Sequence, residues 1–157
     1  MTGEIAQSLE IDGSALTVAV IGTRWNPQLV ERLTTGAKRG LTSCGVISIP
    51  ETTVPGAYEL PYAANVIAHS GRVDAIVVVG AVIRGETTHY ELVAGECGRG
   101  IQDVQLQTQV PIGFGVLTVE NEAQATARSE GAGGHNVGEE AAAVAVEMAL
   151  LRTAWSG

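Results

Sequence analysis

The sequence has few cysteines, few aromatic residues and a single lysine. Its 157 residues include two Cys, one Phe, two Trp and three Tyr. Two cysteines are too few for a disulfide scaffold, and the N-terminus lacks the basic start and apolar centre of a signal peptide. We therefore expect a cytoplasmic protein. Because aromatic residues are scarce while the hydrophobic fraction is 45%, the core is expected to be aliphatic.

Long apolar segments, basic clusters and metal-binding motifs are also missing. The apolar run at 75–83 is far shorter than the roughly 20 residues of a membrane-spanning helix, so no membrane partner is expected. The net charge of −8 and the scattered arginines provide no basic footprint for a nucleic-acid backbone. The three histidines lie far apart in sequence and neither cysteine belongs to a CxxC pair, so no metal site is predicted.

Strand-like and helical segments alternate along the chain with short connections. The apolar, β-branched runs predict strands at 16–21, 46–53, 75–83 and 112–118. Helical periodicity and turn residues predict helices from Pro27 to about residue 44 with Asn26 as N-cap, then at 57–69, from Thr87 or Thr88 to about 108, at 120–128 and at 139–155. This alternation predicts one α/β domain over residues 1–157, with a parallel sheet covered by helices on both faces. A bare edge of so small a sheet invites pairing with another chain, so we expect a homo-oligomer.

The sequence alone leaves several segments with two interpretations. Residues 4–11 are either a frayed terminus or a strand added to the sheet of a neighbouring subunit. Trp25, in a strand-to-helix turn, is either a hydrophobic staple or a functional aromatic. Phe114 lies between two glycines, which favours either plain core packing or close approach of a ligand or another backbone. Cys97 falls on the apolar stripe of its helix, which favours a core thiol over a nucleophile.

Three successive strand-to-helix turns carry polar or aromatic side chains. They contain Trp25, then Tyr58 with Glu59, then the polar segment that leads to His89. Parallel strands bring such turns to one edge of the sheet, where ligands bind in open α/β folds. The turn at 85–88 combines main-chain donors, hydroxyls and a helix N-terminus, which suits a phosphate or a carboxylate.

Two further side chains are candidates for chemistry at this edge. His89 could transfer a proton or could cap its helix, and Arg128 could neutralise an anion or could be a solvated surface residue. No nucleophile–base pair and no metal set accompany them, so covalent and metal-assisted mechanisms have no support. Binding, positioning and proton transfer remain.

Three stretches carry a resemblance to a known family. VPGAYELP at 54–61, GAVIRGETTHYELVAGE at 80–96 and PIGFGVLTVEN at 111–121, in this order and spacing, closely resemble the lumazine synthase family, and the similarity extends over 16–151. The resemblance implies a flavodoxin-like three-layer α/β/α sandwich with a four-stranded parallel sheet. It also implies that the N-terminal arm, residues 1–15, adds a strand to the neighbouring subunit. Such proteins form pentamers, sometimes twelve of them in an icosahedral shell, with the active site between subunits.

The family reaction needs no cofactor and no metal. It condenses two small molecules, 5-amino-6-(D-ribitylamino)uracil and 3,4-dihydroxy-2-butanone 4-phosphate, to 6,7-dimethyl-8-ribityllumazine, phosphate and water in the penultimate step of riboflavin biosynthesis. Two alternatives share the scaffold: a riboflavin-synthase-type paralogue, and a non-catalytic flavin-binding or shell-forming protein.

The resemblance assigns one set of residues to the uracil substrate. Trp25 corresponds to the aromatic that stacks on the pyrimidine ring. The segment that holds the ribityl chain and the ring is Ala57, Tyr58 and Glu59, with Tyr where Phe is usual. Main-chain contacts to the pyrimidine are implied for Ala81, Val82 and Ile83.

A second set is assigned to the phosphate substrate and to proton transfer. Glu86 and Thr87 would hold the butanone phosphate at the helix start, and His89 matches the proton-transfer residue. Phe114 and the phosphate-binding Arg128 match residues that the neighbouring subunit contributes.

The loop after Arg128 departs from many members of the family. Where they carry a lysine in a GNKG-like motif, this sequence has HNVG at 135–138 in a loop about one residue longer. The resemblance therefore implies that Arg128 is the main phosphate partner. Longer loops of this type accompany free pentamers, so we expect a pentamer rather than a shell.

Overall fold

The structure is a computed structural model that describes residues 11–156. Within this range a four-stranded sheet is covered by helices, and a short 3₁₀ turn at Ala57–Glu59 precedes the second helix. The strands are β1 (Val18–Thr23), β2 (Glu51–Val54), β3 (Ala75–Ile83) and β4 (Ile112–Val119). The helices are α1 (Pro27–Ser43), α2 (Leu60–His69), α3 (His89–Thr108), α4 (Glu122–Ala127) and α5 (Val137–Trp155).

All strand pairs in the sheet are parallel, and the strand order is β2-β1-β3-β4. The chain thus winds first to one edge and then to the other, which is the flavodoxin-like order. The prediction of a flavodoxin-like α/β fold with a four-stranded parallel sheet is confirmed. All four carboxyl ends lie at the same edge of the sheet.

Two aliphatic cores lie on opposite faces of this sheet. Alternate residues of β1 and β3 point to each face, because successive side chains of a strand point in opposite directions. Val18, Val20 and Val77 pack with the buried stripes of α1 and α5. Ile21 and Val78, one residue out of phase, pack with α2 and α3. The prediction of an aliphatic core is confirmed, since neither cluster contains a buried aromatic residue.

Small residues bring the helices close to the sheet and to each other. The backbone of α5 at Ala141 lies directly against Gly113 of β4, where any side chain would collide with it. On the other face a Cβ at Gly100 of α3 would lie 2.8 Å from the Pro61 ring of α2. The second contact holds the second half of α3 against the start of α2, which directly follows the turn at 57–59.

Several predicted boundaries shift in the structure. β2 begins at Glu51 instead of residue 46, because Pro50 has no N–H to donate to the ladder. The carbonyls of Ser48 and Pro50 still accept hydrogen bonds from the backbone of β1. Asn26 precedes α1 as predicted, but its side chain makes no capping hydrogen bond and its φ is 56°.

Residues 1–10 of the predicted arm lie outside the described residues. Of the rest of the arm, Gly13 is buried and donates its N–H to the carbonyl of Cys44 at 2.7 Å, and Ile11 packs against the α1/α5 core. Residues 11–15 therefore lie on the body of their own chain. No helix among residues 11–156 is both long and apolar enough to cross a membrane.

Candidate active site

The turns that follow β1, β2 and β3 meet at the carboxyl edge of the sheet. Trp25 in the first turn is 72% exposed. A Cβ on Gly56, in the second turn, would lie 3.0 Å from Cδ1 of the Trp25 indole and 3.5 Å from Oε2 of Glu59. The indole and the carboxylate thus flank the same glycine. A staple would be covered by its helix, so the exposure of Trp25 leaves the staple interpretation without support.

The segment 57–59 faces the same space. Its 3₁₀ turn buries Ala57, whose exposed fraction is 7%, and leaves Tyr58 and Glu59 exposed. Ala57 belongs to the α2/α3 core, and this attachment holds the two polar side chains at the surface. The local sequence explains the shape, because Pro61 in the first turn of α2 needs no N–H partner there.

The end of β3 is tied to the turn that carries Trp25. The Nδ2 of Asn26 donates a hydrogen bond to the main-chain carbonyl of Ala81 at 3.2 Å. Ala81 is buried, whereas Val82 and Ile83 are half-buried. One lone pair of the Ala81 carbonyl is therefore already engaged. Main-chain groups nearer the open end of the strand are more accessible to a ligand.

The turn after β3 carries the polar candidates. Glu86 and Thr87 are exposed, and His89 is exposed as the first residue of the twenty-residue helix α3. The hydroxyl oxygen of Thr87 accepts a hydrogen bond from the main-chain N–H of His89 at 3.3 Å, so its own O–H can donate to another acceptor. Thr88, the residue before the helix, makes no side-chain capping bond. Apart from the His89 amide, the first amides of α3 have no N-cap side chain as a partner, which favours an anion there.

Arg84 is a charged residue at this edge that the sequence reasoning missed. Its guanidinium forms ion pairs with Glu91 and with Glu120, the second at 2.8 Å, and lies 4.3 Å from the centre of the Tyr90 ring. Hydrogen bonding between Arg84 and Glu91 raises the pKa of the arginine and lowers the pKa of the carboxyl group. The sequence carried a weak signal, since Arg84 and Glu91 flank the polar turn.

Within one chain, Phe114 lies apart from this cluster, and the Arg128 guanidinium donates to the carbonyl of Gln124 in its own helix at 2.9 Å. Phe114 pairs in register with Val78, so it lies three residues, or about 10 Å, before the level of Ala81. It is 38% exposed and lines a groove between α3 and α5, so plain core packing is wrong. Arg128 follows α4, whose Ala125 is buried in the α1/α5 core. Phe114 alternates with Ile112 and Val116, which belong to the α2/α3 core, so Phe114 and α4 lie on opposite faces of the sheet.

The glycines beside Phe114 accommodate backbone. Gly113 is in direct contact with the main chain of α5, and a Cβ on Gly115 would lie 2.9 Å from the carbonyl oxygen of Val78. The close approach that the two glycines predicted is thus made by another backbone.

The loop after Arg128 is fixed by Asn136, which is 2% exposed. Its side chain accepts a hydrogen bond from the amide of Glu139 and donates to the carbonyls of Arg32 and Glu130. The amide of Val137 donates to the carbonyl of Arg128 at 2.9 Å. Asn136 therefore caps α5 and joins it to α1, a role that the sequence analysis did not assign.

The carboxyl edge of the sheet offers features for two kinds of ligand. An exposed indole and a carboxylate offer a surface for a flat polar ring, and the start of α3 at the same edge suits an anion. His89 lies at that helix start. Among residues 11–156, no three His, Cys, Asp or Glu side chains lie close enough together to hold a metal ion.

The fold and this edge define a flavodoxin-like α/β protein whose ligand site is formed by the turns that follow the parallel strands. The model of one protein family, 6,7-dimethyl-8-ribityllumazine synthase, matches residues 15–153. A 6,7-dimethyl-8-ribityllumazine synthase from Kineococcus radiotolerans is 47% identical over 82% of this chain and 80% of its own length. The one from Xanthomonas oryzae is 47% identical over 85% of this chain and 87% of its own length. The one from Leptothrix cholodnii is 44% identical over 90% of this chain and 90% of its own length. The chain belongs to the 6,7-dimethyl-8-ribityllumazine synthase family, as the sequence motifs predicted.

Proposed function

We propose that the protein is a transferase that condenses 5-amino-6-(D-ribitylamino)uracil with 3,4-dihydroxy-2-butanone 4-phosphate. The products are 6,7-dimethyl-8-ribityllumazine, phosphate and water, in the penultimate step of riboflavin biosynthesis. Family membership supports this reaction over the riboflavin-synthase-type and non-catalytic alternatives. The observation that carries the proposal is that an exposed indole, a carboxylate and the start of a long helix lie at one edge of the sheet.

The uracil substrate binds at the turns after β1 and β2. Its ring stacks on Trp25, and the ribityl chain lies along the segment Ala57, Tyr58 and Glu59. Main-chain groups of Ala81, Val82 and Ile83 hydrogen-bond the pyrimidine. The exposure of Trp25 and its position beside Gly56 and Glu59 support this placement, because a ring on the indole is within reach of the carboxylate.

The phosphate substrate binds at the start of α3. The main-chain amides of Glu86 and Thr87 and the Thr87 hydroxyl donate to its oxygens, which the hydroxyl can do because its oxygen already accepts from His89. Arg128 supplies the positive charge. In its own chain Phe114 lies about 10 Å before this edge, and the Arg128 guanidinium donates to the carbonyl of Gln124 in α4. We therefore place both residues in the site of the adjacent subunit.

The reaction proceeds through proton transfers that His89 assists. The primary amine of the uracil attacks the ketone and forms an imine with loss of one water. Phosphate is then eliminated, and the ribitylamino nitrogen closes the ring with loss of a second water. The alignment of two reactive substrates supplies much of the acceleration, and a general acid–base histidine supplies the rest.

We also propose that one domain spans residues 1–157 and assembles as a pentamer, in which the N-terminal arm adds a strand to the neighbouring subunit. Edge strand β4 supports an assembly, because it borders a groove of about 1050 Å³ lined by exposed apolar residues. These include Leu106, Phe114, Val144, Leu151 and Trp155. Five chains of 16.2 kDa give a mass of about 81 kDa, and sixty give about 970 kDa. Sedimentation velocity distinguishes them, and a dominant shell would contradict the pentamer.

A cytoplasmic location is the remaining part of the proposal. The half-buried Cys44 and the buried Cys97 are both free thiols, as in proteins of a reducing compartment. Fractionation of cells that express the tagged protein tests this, and recovery outside the cytoplasmic fraction would contradict it.

An assay with both substrates tests the activity. We expect lumazine fluorescence to appear only when both are present, with release of phosphate. Incubation with 6,7-dimethyl-8-ribityllumazine alone is the control. Riboflavin formed from lumazine alone would favour the riboflavin-synthase alternative, and failure of the assembled protein with both substrates would overturn the proposal.

A further inference from the structure

We infer that Arg84 is a positioning residue that holds the turn 85–88 in the shape that binds the substrate phosphate. The inference rests on the proposed function, because it concerns the same turn. It adds a residue that touches neither substrate and acts through the main chain on both sides of the turn.

The main chain of Arg84 is anchored to β4. Its amide donates a hydrogen bond to the carbonyl of Val119 at 2.9 Å, which extends the β3–β4 ladder one residue past Ile83. The turn therefore begins at a fixed point of the sheet.

The side chain of Arg84 joins three elements. Its Nε donates to Oε2 of Glu120, immediately after β4, at 2.8 Å. Its Nη1 pairs with Glu91 in the first turn of α3, and its guanidinium lies over the Tyr90 ring. The residues before and after the turn are thus held by one planar group with a fixed geometry.

The turn itself has little that would fix its shape. A Cβ on Gly85 would meet no atom within 4 Å, Thr88 makes no side-chain capping bond, and Glu86 is exposed. The bond from the His89 amide to the Thr87 hydroxyl, at 3.3 Å, is long. Because the phosphate site consists of amides of this turn, their directions depend on what holds the two ends.

A simpler role for Arg84 is neutralisation of charge. Glu91 and Glu120 lie near the turn, and both would repel a phosphate dianion if Arg84 did not pair with them. Positioning and neutralisation predict different results when the two acids are removed together with the arginine.

Arg99, in α3, provides a matched control, because it too forms ion pairs with two acidic residues. It pairs with Glu96 and Asp103, but all three residues belong to α3 and none borders the turn. The ion pairs of Arg84 and those of Arg99 are exposed, and exposed ion pairs contribute little to stability. Loss of either arginine is therefore expected to leave the assembly intact.

The experiment compares Arg84→Gln, Arg84→Lys and Arg99→Gln with the unmodified assembly. We expect Arg84→Gln to raise the KM for the butanone phosphate at least tenfold with less than a threefold change in the KM for the uracil. Arg84→Lys should recover only part of this loss, because an ammonium group lacks the planar fork with which Arg84 contacts Glu120 and Glu91 at the same time. Arg99→Gln should change neither KM by more than twofold. Calorimetric titration with inorganic phosphate measures binding without catalysis. Phosphate should bind most weakly to Arg84→Gln, more tightly to Arg84→Lys, and with nearly equal affinity to Arg99→Gln and the unmodified protein.

The triple variant Arg84→Gln/Glu91→Gln/Glu120→Gln separates positioning from neutralisation. If Arg84 positions the turn, the KM of the triple variant for the butanone phosphate should be as high as that of Arg84→Gln. A KM restored to that of the unmodified protein would overturn the inference. Equal behaviour of Arg84→Gln and Arg99→Gln would also overturn it. An inactive original protein would instead reject the proposed function, and the phosphate titration would still decide the role of Arg84. If Arg84→Gln fails to assemble, the comparison of Arg84→Lys with Arg99→Lys replaces it.

Discussion

The side-chain amide of Asn26 donates a hydrogen bond to the carbonyl of Ala81 at 3.2 Å, across 55 residues of sequence. This bond joins the turn that carries Trp25 to the end of β3. The left-handed backbone of Asn26, with a φ of 56°, turns the side chain towards β3 instead of towards the first amides of α1. Asparagine tolerates this conformation better than most residues. The position of the proposed stacking surface therefore depends on Asn26.

Gly56→Ala is expected to weaken binding of the uracil substrate. The new Cβ would lie 3.0 Å from Cδ1 of Trp25, so the exposed indole must shift while the fold remains intact. We expect the KM for the uracil to rise about tenfold, equivalent to about 1.4 kcal/mol. Steady-state kinetics measures this. Gly131→Ala is the control, because a Cβ there meets no atom within 4 Å. Equal effects of the two variants would contradict the placement of the uracil on Trp25.

His89→Ala is expected to slow the reaction without abolishing it. A general acid–base histidine contributes about 10²–10⁴-fold, and we expect about 10²-fold in kcat because the substrates are already reactive. His69→Ala, at an exposed histidine that ends α2, should retain full activity. Single-turnover kinetics on both assembled variants measures the difference. A completely inactive His89→Ala pentamer would refute this account of the rate.

Arg128→Ala is expected to affect the two substrates unequally. The loss of its positive charge should raise the KM for the butanone phosphate by about 10- to 100-fold, in line with a charge-assisted hydrogen bond of about 1.5–3 kcal/mol. The KM for the uracil should change little. Arg72→Ala, at an exposed arginine before the amino end of β3, is the control. Similar increases for both substrates would exclude the assigned role.

The stability of the fold is expected to fall above about pH 9. Burial raises the pKa of the Cys97 thiol from 9.0 to about 11. Below pH 9 the thiol is protonated in the folded and unfolded states, so its contribution to stability is complete. As the pH rises towards about 11, the unfolded chain loses the proton first and this contribution is lost.

Chemical denaturation of Cys97→Ala from pH 8 to 11 checks this expectation. The variant is less stable at every pH because it leaves a cavity, but its stability should decline less steeply than that of the original protein. A Cys44→Ala background removes the other thiol. Parallel declines in the two proteins would show that the Cys97 thiol does not titrate in this way.

Local sequence signals predicted most of the fold. β-branched runs identified β1, β3 and β4 within two residues at each end, because each is a continuous apolar segment with a turn residue beside it. β2 was predicted too long, since the strand-like sequence continues through Pro50, which has no N–H to donate to the ladder. The predicted helix 120–128 is α4 at Glu122–Ala127, with the side chain of Asn121 as its cap.

The residues of the candidate site were predicted less completely. The motif around Gly85–His89 identified the turn that we propose for the phosphate, because helix starts and anion sites share a local sequence pattern. Gly56, Asn26 and the partners of Arg84 were missed as parts of the site. Their contacts join residues that are distant in sequence, and no local pattern encodes them.

The sequence by itself determined the order of strands and helices, the aliphatic character of the core and the family to which the chain belongs. These follow from periodicity, turn residues and motifs that act over a few residues. Only the tertiary structure decided that Asn26 bonds Ala81, that Arg84 joins α3 to the end of β4, and that Phe114 and α4 lie on opposite faces of the sheet. Those relationships depend on how the parallel strands align and on which face each side chain points to, which are fixed only when the whole sheet is packed.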